Sequence, residues 1–151
     1  MKTYRITTKK WASTLQGSGY ASRWNSSGKF VIYSAENRSL ACLENLVHRN
    51  GFGLNADFCM STILIPDDII IMLLTVDDLP KNWDDLSEVG HLICRDFGDK
   101  WLDSQKATVL IVPSVIIKNE QNILLNPNHQ DFKKIKIVAT DNFLFDERFS
   151  I

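Results

Sequence analysis

The sequence predicts a mixed α+β single domain spanning residues 1–151. Short runs of β-branched and aromatic residues recur along the chain and outnumber the segments with helical periodicity. The helical segments fall in only two places, which points away from a regular strand–helix alternation. No repeat, low-complexity stretch or linker divides the chain, and 44% hydrophobic against 23% charged residues is an ordinary globular mixture. A domain of this length buries a core without disulfides.

The elements follow in order. Residues 4–6 form a first short strand, and GSGYAS (17–22) reads as a loop from its glycine and serine content. Residues 29–33 read as a strand, with Phe30 and Ile32 facing one way and Val31 and Tyr33 the other. A helix is expected over 39–50, stopped by Gly51. Strands over 62–65 and 69–76 flank the turn Pro66-Asp67-Asp68. A second helix covers about 86–104, although Gly90 and Gly98 weaken it. Three more strands, at 108–112, 123–125 and 135–139, complete the pattern, the first stopped by Pro113.

Composition excludes several classes. A formal net charge of -1 argues against a protein whose work is to neutralise nucleic-acid phosphates. Cys42, Cys59 and Cys94 are odd in number and lack metal or CxxC spacing, so reduced, packed thiols in a cytoplasmic protein are expected. His48, His91 and His129 have no partners at metal-ligand spacing, and no metal is assigned. The opening MKTYRITTKKWAS lacks the apolar centre of a signal peptide. ILIPDDIIIMLLTV is cut by Pro66, Asp67 and Asp68, well short of the ~20 residues of a membrane span. GSG (17–19) alone is no dinucleotide fingerprint.

One constellation carries chemistry. On the helix over 39–50, Leu40, Leu43, Leu46 and Val47 make an apolar arc, and Arg38, Asn45 and Arg49 fall on the solvent side. Glu44 borders the arc. A carboxylate there is either a half-exposed ion-pair partner or a cleft group that stabilises positive charge on a substrate. Arg23, after the Gly-rich loop, offers a fork suited to phosphate, or a surface guanidinium stacked on Trp24. Tyr33 is either a core residue with a wet hydroxyl or a ring presented to a flat heterocycle. His48, one turn after Glu44, is placed to hydrogen-bond it or to sit at the surface.

The order of these residues, RWNSSGKFVIYSAENRSLACLENLVH, resembles the signature region of RES-domain proteins, toxin halves of bacterial toxin–antitoxin pairs whose antitoxin is Xre-like. FGDKWL (97–102), VLIVPSVII (109–117), ILLNPNHQDF (123–132) and FDERF (145–149) extend the resemblance from about Tyr4 to Phe149. Gln130 stands where the family has proline, and HLICRD departs from its small and polar residues. The arginine, glutamate and serine of the family name fall on Arg23, Glu44 and Ser114. The family's strand tyrosine falls on Tyr33, its opening arginine on Arg5, and a polar position of the late loop on Asn126.

The resemblance implies an ADP-ribosyltransferase-like fold of mixed sheets with flanking helices, and a toxin that consumes NAD+ as substrate rather than holding a cofactor. Inorganic phosphate, or water, would accept the ADP-ribose. Glu44 would stabilise the oxocarbenium-like ribose, Arg5 and Arg23 would hold phosphate groups, and Tyr33 would position the nicotinamide ribose. Ser114 would orient Glu44 or a ribose hydroxyl. It has no histidine and acid arranged around it in sequence and is not expected to be a nucleophile. An Xre-like antitoxin is the implied partner, in an oligomeric complex, and it rather than this chain would bind nucleic acid. Two other readings stand: a protein ADP-ribosyltransferase, and a partner-binding module without chemistry.

Overall fold

The computed structural model describes residues 1–49 and 53–149. Among these, seven strands form one sheet: β1 (Lys2–Thr8), β2 (Ile32–Ala35), β3 (Phe58–Leu64), β4 (Ile71–Leu73), β5 (Val109–Pro113), β6 (Gln121–Leu125) and β7 (Lys136–Phe143). Two helices, α1 (Arg38–His48) and α2 (Glu88–Ser104), accompany them. The strand order is β4-β5-β6-β2-β1-β3-β7, antiparallel throughout except for β4 with β5. The mixed α+β class holds, and both helices stand where helical periodicity placed them. The helix end at Asn50 and the stop at Gly51 lie outside the described residues.

Strand boundaries moved where neighbours, not propensity, decide. β2 is shifted from 29–33 to Ile32–Ala35 because Ser34 and Ala35 pair with Ile123 and Asn122 of β6. β3 starts four residues early, at Phe58, since it is the centre of the β1–β3–β7 block and buried along nearly its whole length. β4 shrinks from 69–76 to three residues at the sheet edge.

Strand alternation sorts the core into two faces. Val31 just before β2, Tyr33 of β2, Leu110 and Val112 of β5, and Leu124 of β6 pack under α2 with Cys94, Trp101 and Leu102. Further along the same face, Ala35, Ile6, Phe58 and Met60 pack under Leu40 and Ala41 of α1. Both helices therefore lie on one face. The other face carries Ile32, Ile63, Val109, Ile123 and Leu125, closed by Leu15, Phe132 and Ile135. Cys59 and Cys94 are buried free thiols and Cys42 is half-buried.

Local contacts fix the helices. Asn37 caps α1 by accepting the Leu40 N–H at 2.8 Å on Oδ1. In α2, Gly98 is a contact point rather than a weakness: a Cβ there would stand 1.8 Å from the Trp24 carbonyl oxygen. Only glycine lets the helix backbone approach the loop this closely. Asp99 then accepts the Ser26 N–H at 3.0 Å, and Lys29 pairs with Asp103. The loop carrying Arg23 and Trp24 is thereby fastened to α2.

Candidate active site

β1 meets β3 over seven consecutive register pairs but meets β2 at one, Tyr4 with Ala35. A polar rivet marks that junction. Buried Thr3 donates to the Ala35 carbonyl at 2.7 Å, and buried Ser34 donates to the Ile123 carbonyl at 2.7 Å. On one side of the junction the two strands part. Gly17 of the intervening loop lies so close to β2 that a Cβ would stand 2.8 Å from Val31 N and O.

A cavity of about 660 Å³ opens where the strands separate. β1 lines it with Arg5 and Thr7, β2 with Tyr33, the loop with Arg23, and α2 with His91 and Arg95. From α1 come Ala41, Glu44, Asn45 and His48. Their spacing of three, four and seven residues is one helical stripe. The apolar arc read from the sequence is thus rotated. Leu40 and Ala41 are the buried residues, Val47 is 55% exposed, and Asn45 faces β1 and donates to the Ile6 carbonyl at 3.2 Å. Helical periodicity locates the stripe; it does not tell a core-facing side from a cavity-facing one.

Glu44 is held from below. Ser114 Oγ donates to Glu44 Oε1 at 3.1 Å, and Asn122 Nδ2 donates to the same oxygen at 2.5 Å. Ser114, fully buried at the end of β5, also accepts the Ile116 and Ile117 N–H groups at 3.1 and 3.2 Å. With its lone pairs engaged by main-chain donors, its single proton goes to Glu44. That arrangement suits a group that orients a carboxylate, and the serine oxygen, buried and engaged by two main-chain N–H groups, is not free to attack as a nucleophile. His48 lines the cavity without bonding Glu44, whose partners are the serine and the asparagine.

Both arginines spend part of their N–H donors on carbonyl oxygens. Arg5 reaches Gln16 O at 3.1 Å, and burial pulls its guanidinium below the ordinary arginine value. Arg23 donates to Trp83 O at 3.0 Å and Asp85 O at 3.2 Å, and touches Cys94 Sγ at 3.8 Å. It is anchored in the fold, not stacked on the surface. The Asp85 carboxylate accepts the Ser87 N–H, which with the nearby Arg23 charge holds it below the usual carboxylate range. Among the described residues neither guanidinium has a carboxylate partner, so both bring positive charge to the cavity wall. Arg95 is paired with Glu88 at 2.8 Å and also donates to Ser22 O. Burial, with Arg23 and Arg95 nearby, holds His91 below the usual imidazole value.

Tyr33 presents its ring, since its hydroxyl is engaged. It donates to Asn25 Oδ1 at 2.7 Å and accepts the Trp24 N–H at 3.1 Å. Burial pushes its pKa up to about 12, so it stays a neutral phenol. Asn25, 2% exposed, donates to the Tyr20, Ser26 and Lys29 carbonyls and so shapes the loop around Arg23.

Of the residues read from the sequence, Arg5, Arg23, Tyr33 and Glu44 share this one cavity, with Ser114 directly beneath it. Asn126 does not join them. It follows the far end of β6, where its N–H bonds Thr108 O at 2.9 Å and its Oδ1 accepts the Asn128 N–H, a turn-forming role. Asn122, Asn25, Arg95 and Thr7 are members that sequence reasoning missed. Asn122 reaches Glu44 only through the β2–β6 register, which no spacing reveals.

Three comparisons relate the chain to known proteins. The RES domain family model matches residues 2–146. A protein of Sphingobium sp. (strain YBL2) named "Prs ADP-ribosylating toxin" is 38% identical, covering 91% of this chain and 87% of its own. "Toxin Res" of Yersinia enterocolitica is 39% identical over 98% of this chain and 99% of its own. "Toxin Res" of Photorhabdus laumondii is 36% identical, covering 96% and 94%. A chain of the crystal structure of the M. tuberculosis MbcT–MbcA toxin–antitoxin complex superposes with a TM-score of 0.73 at 16% identity. It covers 95% of this chain and 84% of its own, and it shows a shared fold.

Proposed function

The chain belongs to the RES-domain family, and on that premise we propose that it is a toxin that consumes NAD+ by breaking the nicotinamide–ribose bond. One observation carries this reading: a carboxylate oriented by two donors shares a cavity with two arginines that have no carboxylate partner among the described residues. NAD+ offers the matching charges, a pyrophosphate for the guanidiniums and a ribose carbon that becomes positive as nicotinamide leaves. The cavity volume lies within the roughly 300–1,000 Å³ of small-molecule sites.

The C1′–N bond breaks with its electron pair leaving on nicotinamide, which departs neutral. Glu44 stabilises the oxocarbenium-like ribose, as carboxylates do in glycoside chemistry. An oxygen of inorganic phosphate then forms the new C1′–O bond, giving ADP-ribose 1″-phosphate; water would give ADP-ribose and a proton. Arg5 and Arg23 hold the phosphate groups, the Tyr33 ring packs on the nicotinamide-ribose side, and Ser114 keeps Glu44 aimed. NAD+ is here a substrate, and the chemistry requires no resident cofactor.

A second reading, protein ADP-ribosylation, shares every step up to the acceptor and is favoured by the name of the Sphingobium relative. The test is a product assay. Pure protein and NAD+, with and without inorganic phosphate, are followed by phosphorus NMR beside Glu44→Ala. Phosphate-dependent loss of nicotinamide with a new sugar-phosphate resonance supports the phosphorylase. Label from NAD+ appearing on added protein supports the second reading, and intact NAD+ in every arm defeats both.

A cytoplasmic NAD+ consumer must be silenced in its own cell. We propose that an Xre-like antitoxin does so by covering the cavity, in a complex holding more than one toxin. The fold shared with a chain of a toxin–antitoxin complex is consistent with this.

A further inference from the structure

We propose that Asn122 is a positioning residue for Glu44, the second half of a clamp that fixes one carboxylate oxygen and leaves the other for the substrate. The role in catalysis rests on the reading of Glu44 above; the clamp itself does not.

Four observations converge. Asn122 Nδ2 and Ser114 Oγ both approach Oε1, while Oε2 receives neither. An ionised carboxylate only accepts, so the amide must turn its NH2 toward it. The two donors come from adjacent strands at the same end of the β5–β6 hairpin, where Asn122 pairs with Val112. Asn122 also pairs with Ala35 of β2, one short turn before α1, which carries Glu44. The donors are thus tied through the sheet to the helix that bears the acceptor. Asn122 itself lines the cavity, so this contact lies in the site wall and not in the core behind it.

Two donors on one oxygen have a directional consequence. They remove the rotational freedom of the carboxylate about its last torsion, which is otherwise broad and roughly two-fold. Oε2 is then held toward the ribose before substrate arrives, the kind of preorganisation that raises kcat without tightening ground-state binding. Serine alone would leave a pivot, and the asparagine closes it.

The test pairs kinetics with a readout that needs no activity. Asn122→Ala should lower kcat by about 10- to 100-fold with KM within about twofold. Asn122→Asp keeps the shape but sets a carboxylate against Glu44. It should lower kcat at least as far and drop Tm by roughly 4 °C. Combining it with Glu44→Gln restores a donor–acceptor pair in the opposite sense, glutamine to aspartate. The double variant Glu44→Gln/Asn122→Asp should therefore recover the lost Tm while remaining inactive. A filler role for Asn122 predicts no such rescue and a near-neutral Asn122→Asp. A double variant no more stable than Asn122→Asp would overturn the clamp. If instead wild-type protein leaves NAD+ intact while the Tm rescue holds, the proposed activity fails and the clamp stands.

Discussion

Strand β1 has two unlike edges. Against β3 it is paired over its whole length, Lys2 with Leu64 through Thr8 with Phe58. Against β2 it is paired at Tyr4 with Ala35 and then lets go. The closed edge carries Ile6, Met60 and Ile63 into the two cores. The open edge supplies Arg5 and Thr7 to the cavity, and Thr7 Oγ1 is buried there without a partner. A strand edge that forgoes its ladder leaves polar groups to be satisfied by something else. Here the Asn45 amide takes part of that role by donating to the Ile6 carbonyl, and the substrate is proposed to take the rest. On the proposed function, stability and chemistry fall on opposite sides of one strand, a division that substitutions can break.

The largest effect is expected on the open side. Glu44→Gln keeps the two clamp partners within reach but removes the charge proposed to meet the oxocarbenium. NAD+ cleavage should fall by about 10³-fold, in the range of a lost electrostatic stabiliser, with Tm almost unchanged. Nicotinamide release and a thermal melt on the same preparation measure both. If Glu44→Gln costs stability in proportion to activity, the two edges are not functionally distinct.

The closed side should behave in reverse. Ile63 is fully buried, pairs with Thr3 across the β1–β3 ladder and belongs to the buried cluster that includes Ile32 and Val109. Ile63→Ala should destabilise the fold by about 2–5 kcal/mol through lost burial and a residual cavity. Measured by denaturant unfolding, that loss should leave KM for NAD+ within about twofold of wild type in the folded fraction. A large KM change would show that the closed edge also shapes the cavity.

Arg5→Lys sharpens the contrast within β1 itself. The ammonium keeps the charge but loses the fork that reaches Gln16 O and faces the cavity. KM should rise about tenfold, equivalent to about 1.4 kcal/mol, with a smaller change in kcat. An unchanged KM would remove Arg5 from the substrate side.

Neither strand of the closed edge is fully legible in the sequence, which reads 4–6 and 62–65 where β1 runs Lys2–Thr8 and β3 Phe58–Leu64. Strand signals come from β-branched and aromatic runs, so 108–112 was placed within a residue of β5. The Phe58–Ser61 half of β3 was not, because Ser61 is polar in sequence and buried in fact, donating to the Ala12 carbonyl at 3.0 Å. At the open edge, motif order singled out Arg5, Arg23, Tyr33, Glu44 and Ser114, and the fold gathers all five. It misplaced Asn126, a polar residue in a matching motif whose side chain serves a turn. It passed over Asn122 and Asn25, which act by reaching across strands and loops. Such contacts depend on register, and register is a property of the assembled sheet. The stripe Ala41, Glu44, Asn45 and His48 has helical spacing, but so does the apolar arc beside it, and spacing alone does not rank the two.

The smallest effect on turnover is expected at Tyr33, which ties β2 to the Arg23 loop. Tyr33→Phe keeps the ring and deletes bonds to Asn25 Oδ1 and the Trp24 N–H. At neutral pH this should cost about 1–2 kcal/mol, with kcat changed by less than about tenfold because the ring still lines the cavity. The pH dependence gives the sharper sign. Burial raises the Tyr33 pKa from 10.0 to about 12, so the folded protein holds its phenolic proton more tightly than the unfolded chain. The resulting contribution is fully present below pH 10 and is lost as pH climbs toward 12, about 2–3 kcal/mol in all. Wild type should therefore lose stability steeply across that window, and Tyr33→Phe, lacking the ionisable group, should lose less by about that amount. Parallel alkaline unfolding curves would mean that the phenol is not held as the structure places it, and that the loop is free of β2.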